Sequence, residues 1–317
     1  MVVRAPATSA NLGPGFDALG LALSRYDVTV ARVTEGGLHI EVSGEGAETA
    51  GDGERHLVVR AMRAAFDLLG GQPPGIGLRS LNSIPHGRGL GSSAAAIVTG
   101  ILAARGLVPG GPDQLPSDAV LALATALEGH PDNVAACLAG GLTIAWIPEA
   151  AAGVAAGQAA AGQPRLVRLP VLEEIRPVVL VPDQVLATAT ARGALPPAVP
   201  HRDAAANAGR SALLVAALTR VPDVLFDATQ DYLHQSYRAA AAPPTAALLA
   251  RLRAAGVPAV VSGAGPAVLA LLVADTEPGP DLVDSIAVET GISWAISPLD
   301  IDRLGATLQT AGPAERS

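Results

Sequence analysis

The chain has 317 residues, half of them hydrophobic, and a net charge of −8 at pH 7. This composition is that of a globular protein, and the length suits one large domain or two ordinary ones. The excess of 29 acidic over 21 basic residues argues against nucleic acid as a partner, because nucleic-acid-binding proteins carry a basic face. All 21 basic residues are arginine, which excludes a Walker A loop, a Schiff-base lysine and a Ser-Lys hydrolase. The single cysteine, Cys137, excludes an internal disulfide and fits a reducing compartment, and we expect neither a signal peptide nor a membrane span.

The first half of the chain alternates strand patterns, turns and helical patterns. Residues 27–33 alternate apolar and polar side chains, and residues 38–42 follow after Glu35-Gly36-Gly37, so we predict a hairpin of these two strands. Ser117 is predicted to cap the start of a helix. The predicted elements of this half are strands at 27–33, 38–42 and 76–81 and helices at 57–69, 92–104 and 117–127.

The second half begins after a segment, residues 149–162, that is almost entirely Ala, Gly and Gln. This composition predicts a flexible linker, with a short Ala-rich helix as the alternative. Beyond it, strands are predicted within 165–181 and at 259–261 and 267–273, and helices at 203–218, 225–232 and 244–255. Strands and helices mix without regular alternation, which favours an α+β fold. We predict domains at residues 1–150 and 165–317.

A glycine-rich loop that leads directly into a predicted helix carries the main functional signal. Its spacing differs from the G-x-G-x-x-G of dinucleotide-binding folds, and no Walker A lysine is present. Alternating glycines let successive N–H groups converge on an anion beside a helix N-terminus, which predicts a phosphate site; a turn with a serine cap is the structural alternative. The loop consists of Pro85, His86, Gly87, Arg88, Gly89, Leu90, Gly91, Ser92, Ser93, Ala94 and Ala95.

Three segments in this order resemble the motifs of one enzyme family, the galactokinase, homoserine kinase, mevalonate kinase and phosphomevalonate kinase (GHMP) family. They are residues 5–17, the loop at 85–95 and residues 261–267. The resemblance implies a two-domain α+β fold with the active site in the cleft between the domains. It also implies a cytoplasmic, ATP-dependent small-molecule kinase that uses magnesium and binds ATP through the loop. Members are often dimers, so a homodimer is an expectation.

The first motif, at residues 10–20, is similar to the version found in homoserine kinases. This resemblance implies L-homoserine as the substrate and a place in threonine biosynthesis. Asn11 and Asp17 supply an amide and a carboxylate, which suit a hydroxyl and an ammonium group respectively. Both residues suit a purely structural role in the turn equally well.

The segment from Glu128 to Val134 resembles the part of homoserine kinases that closes the active site. The resemblance implies that Glu128 holds magnesium with a serine of the loop, Ser92 or Ser93, and that His130 and Asn133 face the amino acid. Two roles stay open for Asp132: it is the general base, as in some relatives, or it is structural and Asn133 orients the substrate. Taken alone, the segment also fits a turn in which Asp132 caps the next helix.

A substrate carboxylate calls for arginine, which can bind it through two parallel hydrogen bonds. Arg192 and Arg238 lie in segments that resemble homoserine kinases, although single arginines are most often surface residues. His56 and His86 depart from the family pattern, and His56 stands near the expected position of the nucleotide base. Two alternatives remain for the function: a GHMP-family kinase for another small alcohol, and a non-catalytic nucleotide-binding regulator.

Overall fold

The computed structural model describes residues 1–149, 162–310 and 312, so the predicted linker at 149–162 lies almost entirely outside the described residues. The strands are β1 (Val2–Ala10), β2 (Leu19–Thr34), β3 (Gly37–Gly44), β4 (Gly75–Asn82), β5 (Leu142–Trp146), β6 (Arg165–Leu169), β7 (Ile175–Pro182), β8 (Ala259–Val261), β9 (Val268–Val273), β10 (Trp294–Pro298) and β11 (Thr307–Gln309). The helices are α1 (Leu57–Leu68), α2 (Ser92–Leu107), α3 (Gly111–Gln114), α4 (Ser117–Glu128), α5 (Asp132–Ala139), α6 (Thr188–Gly193), α7 (His201–Thr219), α8 (Leu225–Ala228), α9 (Gln235–Arg238), α10 (Pro243–Ala254) and α11 (Pro280–Glu289).

Within the described residues, the first sheet has seven strands, of which five follow the order β11-β1-β2-β4-β3, while β5 pairs with β2 and β6 with β5. Helices α2 and α5 pack against β1, and α1 packs against α2. Helix α2 is buried on most sides because its sequence is largely Ala, Ile, Leu and Val, so it lies in the centre of the core. This places the glycine-rich loop, which precedes α2, at the edge of the sheet.

The predicted hairpin between residues 27–33 and 38–42 is wrong, although both segments are strands. Strand β4 lies between them: it runs antiparallel to β2 and parallel to β3. The physical reason is the difference in polarity between β3 and β4. Ile76 and Leu78 of β4 are buried, whereas His39 and Glu41 of β3 are exposed, so the more apolar strand takes the inner place. Helix α1 makes the crossover that a parallel pair requires.

The second sheet is antiparallel with the order β10-β7-β9-β8. Helices α10 and α11 cover one face, where Leu248, Leu252 and Val283 form a small core with the sheet. Alternate residues of β7 and β9, such as Val179 and Leu269, belong instead to the large core that the first sheet shares. Strands β6 and β11, although they lie after residue 165, join the first sheet. The predicted division into domains stays a prediction.

Most other predicted elements are confirmed, among them α1, α2, α7, α10 and the strands β7 to β9. The predicted helix at 225–232 is shorter and ends at Ala228. The chain turns there because the Asp231 carboxylate accepts hydrogen bonds from the N–H groups of Leu233, His234 and Gln235, which starts a new short helix. No helix within the described residues is long and apolar enough to cross a membrane.

Candidate active site

One cleft brings together residues of all the predicted motifs around a cavity of about 130 Å³. The first motif reaches it from the end of β1, the loop from the start of α2, and the third motif from the turn between β8 and β9. The cavity is lined by Asn11, Gly87, Gly89, Gly91, Ser92, Ser93, Glu128, His130, Asp132, Asn133, Leu186, Thr188, Arg192, Arg238, Gly263, Ala264 and Gly265.

The glycine-rich loop packs directly on the turn of the third motif. A Cβ at Gly89, where φ is +78°, would lie 2.3 Å from the carbonyl oxygen of Ser262, so only glycine fits. The Ser262 hydroxyl donates a hydrogen bond of 2.6 Å to the Gly89 carbonyl oxygen. The loop glycines and the first residues of α2 therefore line the cavity on a backbone held by this contact, and N–H groups at a helix N-terminus suit the binding of a phosphate.

Asn133 is oriented by a residue of the first strand. The hydroxyl of Thr8 donates a 2.8 Å hydrogen bond to Asn133 Oδ1, which leaves the amide nitrogen as the group that can face a ligand. Gly91 lies between them, with φ of +69°, and a Cβ there would be 1.9 Å from Thr8 Oγ1. The loop, β1 and α5 are thus in contact at the cavity.

Ser93 and Glu128 form the acidic side of the cavity. The Ser93 hydroxyl donates a 2.6 Å hydrogen bond to Glu128 Oε2, and burial raises the pKa of the Glu128 carboxyl. A hydroxyl and a carboxylate are oxygen ligands of the kind that magnesium prefers, so the pair fits a magnesium ion held jointly with substrate phosphates. No group of three or more His, Cys, Asp or Glu side chains within the described residues forms a metal site by itself.

His130 and Asp132 form a close pair at the base of the cleft. Asp132 is only 1% exposed, and its Oδ1 lies 2.5 Å from His130 Nδ1 and accepts a 2.7 Å hydrogen bond from the Asn133 N–H. The hydrogen bond to Asp132 raises the pKa of the His130 imidazole, since the carboxylate stabilises the charged ring. Asp132 thus fixes the orientation of both neighbouring side chains.

Asp17 pairs with Arg192, which lines the cavity. Arg192 Nη2 and Nη1 lie 2.8 Å and 3.1 Å from the two Asp17 oxygens, and this contact raises the pKa of the guanidinium. Asn11 supports the same loop: its Oδ1 accepts from the Asp17 N–H, and its Nδ2 donates to the Gly263 carbonyl oxygen at 2.7 Å. The two charges predicted to bind an amino acid are therefore neighbours.

Arg238 lines the same cavity as Arg192 and is only 4% exposed. Its Nε donates to the Ala191 carbonyl oxygen at 3.2 Å, its Nη1 lies 3.0 Å from His234 Nδ1, and its guanidinium lies 5.3 Å from the ring centroid of Phe16. Burial, with a smaller contribution from Arg192, lowers its pKa. Arg192 and Arg238 both line the cavity, so it has two guanidinium groups.

A second cavity of about 270 Å³ shares Ser92 and Ser93 with the first. His56 and His86 line it, and the Nδ1 of His56 is buried without a hydrogen-bond partner within the described residues. Burial lowers the pKa of His56, which favours the neutral ring. Because residues of the phosphate loop line this cavity as well, it is a candidate site for the nucleoside part of ATP.

Not every residue that the sequence singled out reaches a cavity. Pro85, Leu90, Ala94 and Ala95 are buried in the core, and the Arg88 guanidinium donates to the Asp183 carbonyl oxygen at 2.9 Å instead of lining either cavity. Asp17 is in contact with Arg192 but does not line the first cavity. Sequence reasoning assigned no role to Thr8, Phe16, His234 or Ser262. Thr8, Phe16 and Ser262 lie inside the motifs at residues 5–17 and 261–267, and His234 lies four residues before Arg238, which are the only signals for them.

The fold and the phosphate-loop site define an ATP-dependent kinase of the GHMP class. Residues 56–141 match the family model described as "GHMP kinases N terminal domain". The chain is 56% identical over 306 residues to a homoserine kinase of Streptomyces coelicolor (96% of this chain, 93% of the relative) and 48% identical over 312 residues to one of Leifsonia xyli (97% and 91%). Within its class, the chain belongs to the homoserine kinase family.

A solved structure agrees with this fold. The crystal structure of a homoserine kinase from Cytophaga hutchinsonii superposes with a TM-score of 0.75 at 24% identity, covering 97% of this chain and 96% of that one. At this level of identity, the likeness is one of fold.

Proposed function

We propose that this chain transfers the γ-phosphate of ATP to the hydroxyl of L-homoserine, giving O-phospho-L-homoserine in threonine biosynthesis. The observation that carries the proposal is the 56% identity to a homoserine kinase over 96% of this chain. The cleft agrees with it, because a phosphate loop lies beside two arginines and a carboxylate. A hydroxy amino acid such as L-homoserine has one ammonium, one carboxylate and one hydroxyl group, which match these side chains and the phosphate loop.

The phosphate loop would bind the triphosphate. Phosphoryl transfer needs mainly positioning and charge neutralisation, and the loop N–H groups at Gly87, Gly89 and Gly91 offer both on a fixed backbone. Ser93 and Glu128 would hold magnesium, which when bound neutralises phosphate charge. The second cavity, with His56 and His86, would take the nucleoside.

The amino acid would bind between the remaining side chains. Arg192 and Arg238 would take its carboxylate, because a guanidinium matches a carboxylate in geometry and charge. Asp17, with Asn11 behind it, would take the ammonium. His130 and the Asn133 amide would orient the hydroxyl towards the phosphate loop, and their own positions are held by Asp132 and Thr8.

The Oδ1 of Asp132 is in contact with three nitrogens, His130 Nδ1 and the backbone and side-chain nitrogens of Asn133, which favours the positioning role over that of general base. The alcohol proton would then leave without a dedicated carboxylate base. We also propose the homodimer, the cytoplasmic setting and the two domains at residues 1–150 and 165–317, which rest on the family resemblance.

The test is a coupled ADP-release assay with magnesium-ATP and a panel of alcohols: L-homoserine, L-serine, L-threonine, mevalonate and galactose. We expect strong turnover with L-homoserine alone and O-phospho-L-homoserine as the product by mass spectrometry. Turnover with another alcohol would refute the substrate assignment and leave the phosphate loop in place. ATP binding without turnover on any alcohol would favour the non-catalytic alternative.

A further inference from the structure

A buried histidine, His234, lies beside the substrate side of the cleft without a role in the proposed reaction. Its side chain is fully buried, and its ring stacks on Phe16 with 5.1 Å between the ring centroids. Nε2 lies 2.9 Å from the Gly13 carbonyl oxygen, and Nδ1 lies 3.0 Å from Arg238 Nη1. The ring therefore connects the first motif to one of the two cleft arginines.

These two contacts determine which nitrogen carries the proton. The Gly13 carbonyl oxygen can only accept, so Nε2 must be the N–H; the guanidinium can only donate, so Nδ1 must be the free lone pair. Only the neutral ring with its proton on Nε2 satisfies both contacts. Burial lowers the pKa of His234, which favours the neutral ring. The nearby Asp231 acts in the opposite direction and raises the pKa of His234, but burial outweighs it. The Asp231 oxygens accept backbone N–H groups at residues 233–235, and Oδ1 lies 3.6 Å from Nε2, the nitrogen that carries the proton.

The acceptor on His234 fixes the plane of the Arg238 guanidinium. Nε is held by the Ala191 carbonyl oxygen and Nη1 by His234, and these two points leave no rotation about the planar group. No described residue accepts a hydrogen bond from Nη2, while Arg238 lines the cavity. One nitrogen of a rigidly held guanidinium is thus available to a ligand.

We propose that His234 is a positioning residue: its Nδ1 lone pair holds Arg238 in the orientation that binds the substrate carboxylate. The inference rests on the proposed function, since it needs an amino acid in the cleft. It makes the Nδ1 acceptor, rather than the volume of the ring or the Nε2–H donor, the feature that selects for the carboxylate.

Two substitutions separate the two nitrogens. The Asn side-chain oxygen takes the place of Nδ1, so His234→Asn keeps an acceptor for Arg238; the Gln amide nitrogen takes the place of Nε2, so His234→Gln keeps only the donor to Gly13. We expect the KM for L-homoserine to stay within about threefold of wild type in the Asn variant and to rise about 10- to 100-fold in the Gln variant, the range for loss of a hydrogen bond to a charged group. The KM for ATP should change in neither.

The matched control is His39→Gln, since His39 is an exposed residue of β3 that lines neither cavity; this substitution should leave both KM values unchanged. Thermal unfolding shows whether each variant is folded. If folded Asn and Gln variants have the same KM for L-homoserine, the proposal is wrong. If the wild-type enzyme does not phosphorylate L-homoserine, the proposed function is wrong instead, so the two failures are distinct.

A measurement on the unmodified protein covers the case in which both variants fail to fold. In ¹⁵N spectra of histidine-labelled enzyme near neutral pH, we expect one ring with a protonated Nε2 and an unprotonated Nδ1 that does not titrate, because it is buried. The His234 ring is identified among the histidines by its contact with the Phe16 ring, and finding it as the imidazolium or with its proton on Nδ1 would overturn the proposal.

Discussion

Arg192 is a residue for which we propose a role in substrate binding and expect little contribution to stability. In the structure it pairs with Asp17, and each side chain is more than one-third exposed, so the pair is worth no more than about 1 kcal/mol. A zwitterionic substrate offers the same two charges in the opposite positions. We infer that it replaces the ion pair and satisfies both groups at once.

We therefore predict that Arg192→Ala raises the KM for L-homoserine about 10- to 100-fold, because a hydrogen bond to a charged group is lost. The free energy of unfolding in urea should fall by less than about 1 kcal/mol. The matched control is Arg202→Ala: the Arg202 side chain, in α7, is 89% exposed and pairs with Asp203. This substitution should change neither the KM nor the free energy of unfolding. An unchanged KM in the Arg192 variant would contradict the assignment of this arginine to the substrate.

The His130–Asp132 pair gives stability a pH dependence of known sign. The pKa of His130 is raised above its ordinary value of 6.5, so the native state binds the proton more tightly than the unfolded chain. The contribution is fully present below that ordinary value and is lost as the pH rises through the raised pKa.

For Asp132→Asn we predict a loss of stability that is larger at about pH 6 than at about pH 9, because only the protonated ring gains from the carboxylate. Urea unfolding of wild type and variant at both values measures the difference, and His39→Gln serves as the control. The His130 ring should also titrate at lower pH in the variant, as followed by NMR. Equal losses at the two pH values would show that the pair is not charged in the native protein.

At the scale of elements, the contact between the phosphate loop and the β8–β9 turn leaves no room for a side chain at Gly89. We predict that Gly89→Ala destabilises the protein by about 1 to 3 kcal/mol beyond the strain of a positive φ, because the added methyl overlaps backbone atoms. Gly129→Ala is the control, since its φ is +95° but nothing lies within 4 Å of its Cβ. The KM for ATP should rise in the Gly89 variant alone.

Equal stability of the two alanine variants, measured by urea unfolding, would show that the loop can move away from the turn. The loop would then be held less firmly than the hydrogen bond from Ser262 to Gly89 indicates. In that case, pre-organised N–H groups could not be the basis of phosphate binding.

The sequence predicted elements well where the signal is local, and failed where a distant part of the chain decides. The helices α1 and α2 and the loop between β4 and α2 follow from apolar spacing and glycines. Strand β3 pairs with β4 because the crossover through α1 places β4 beside it, and no local sequence pattern encodes that position. The end of α8 depends on the Asp231 carboxylate, and the stacking of Phe16 on His234 joins residues more than 200 positions apart.

At the scale of the whole molecule, the two sheets share a core, and chain segments that follow the second sheet pair with the first. Strand β11 pairs with β1, and Ile301 pairs with Leu23, so the chain returns to the first sheet after completing the second. Asp302 strengthens this return: it is 5% exposed, and its Oδ2 accepts a 2.9 Å hydrogen bond from the Tyr26 hydroxyl. Neither sheet can unfold without exposing part of the core of the other.

We therefore predict a single cooperative unfolding transition, which the two tryptophans can test. Trp146 lies in β5 of the first sheet and Trp294 in β10 of the second, and the chain has no other tryptophan. In Trp294→Phe and Trp146→Phe, fluorescence reports one sheet at a time, and the two urea transitions should coincide with each other and with far-UV circular dichroism. Asp302→Ala should lower both midpoints together, because it removes the carboxylate that accepts hydrogen bonds from the Tyr26 hydroxyl and the Gly305 N–H. Two separated transitions, or a shift of only one, would mean that the two sheets unfold independently and that the shared core does not make unfolding cooperative.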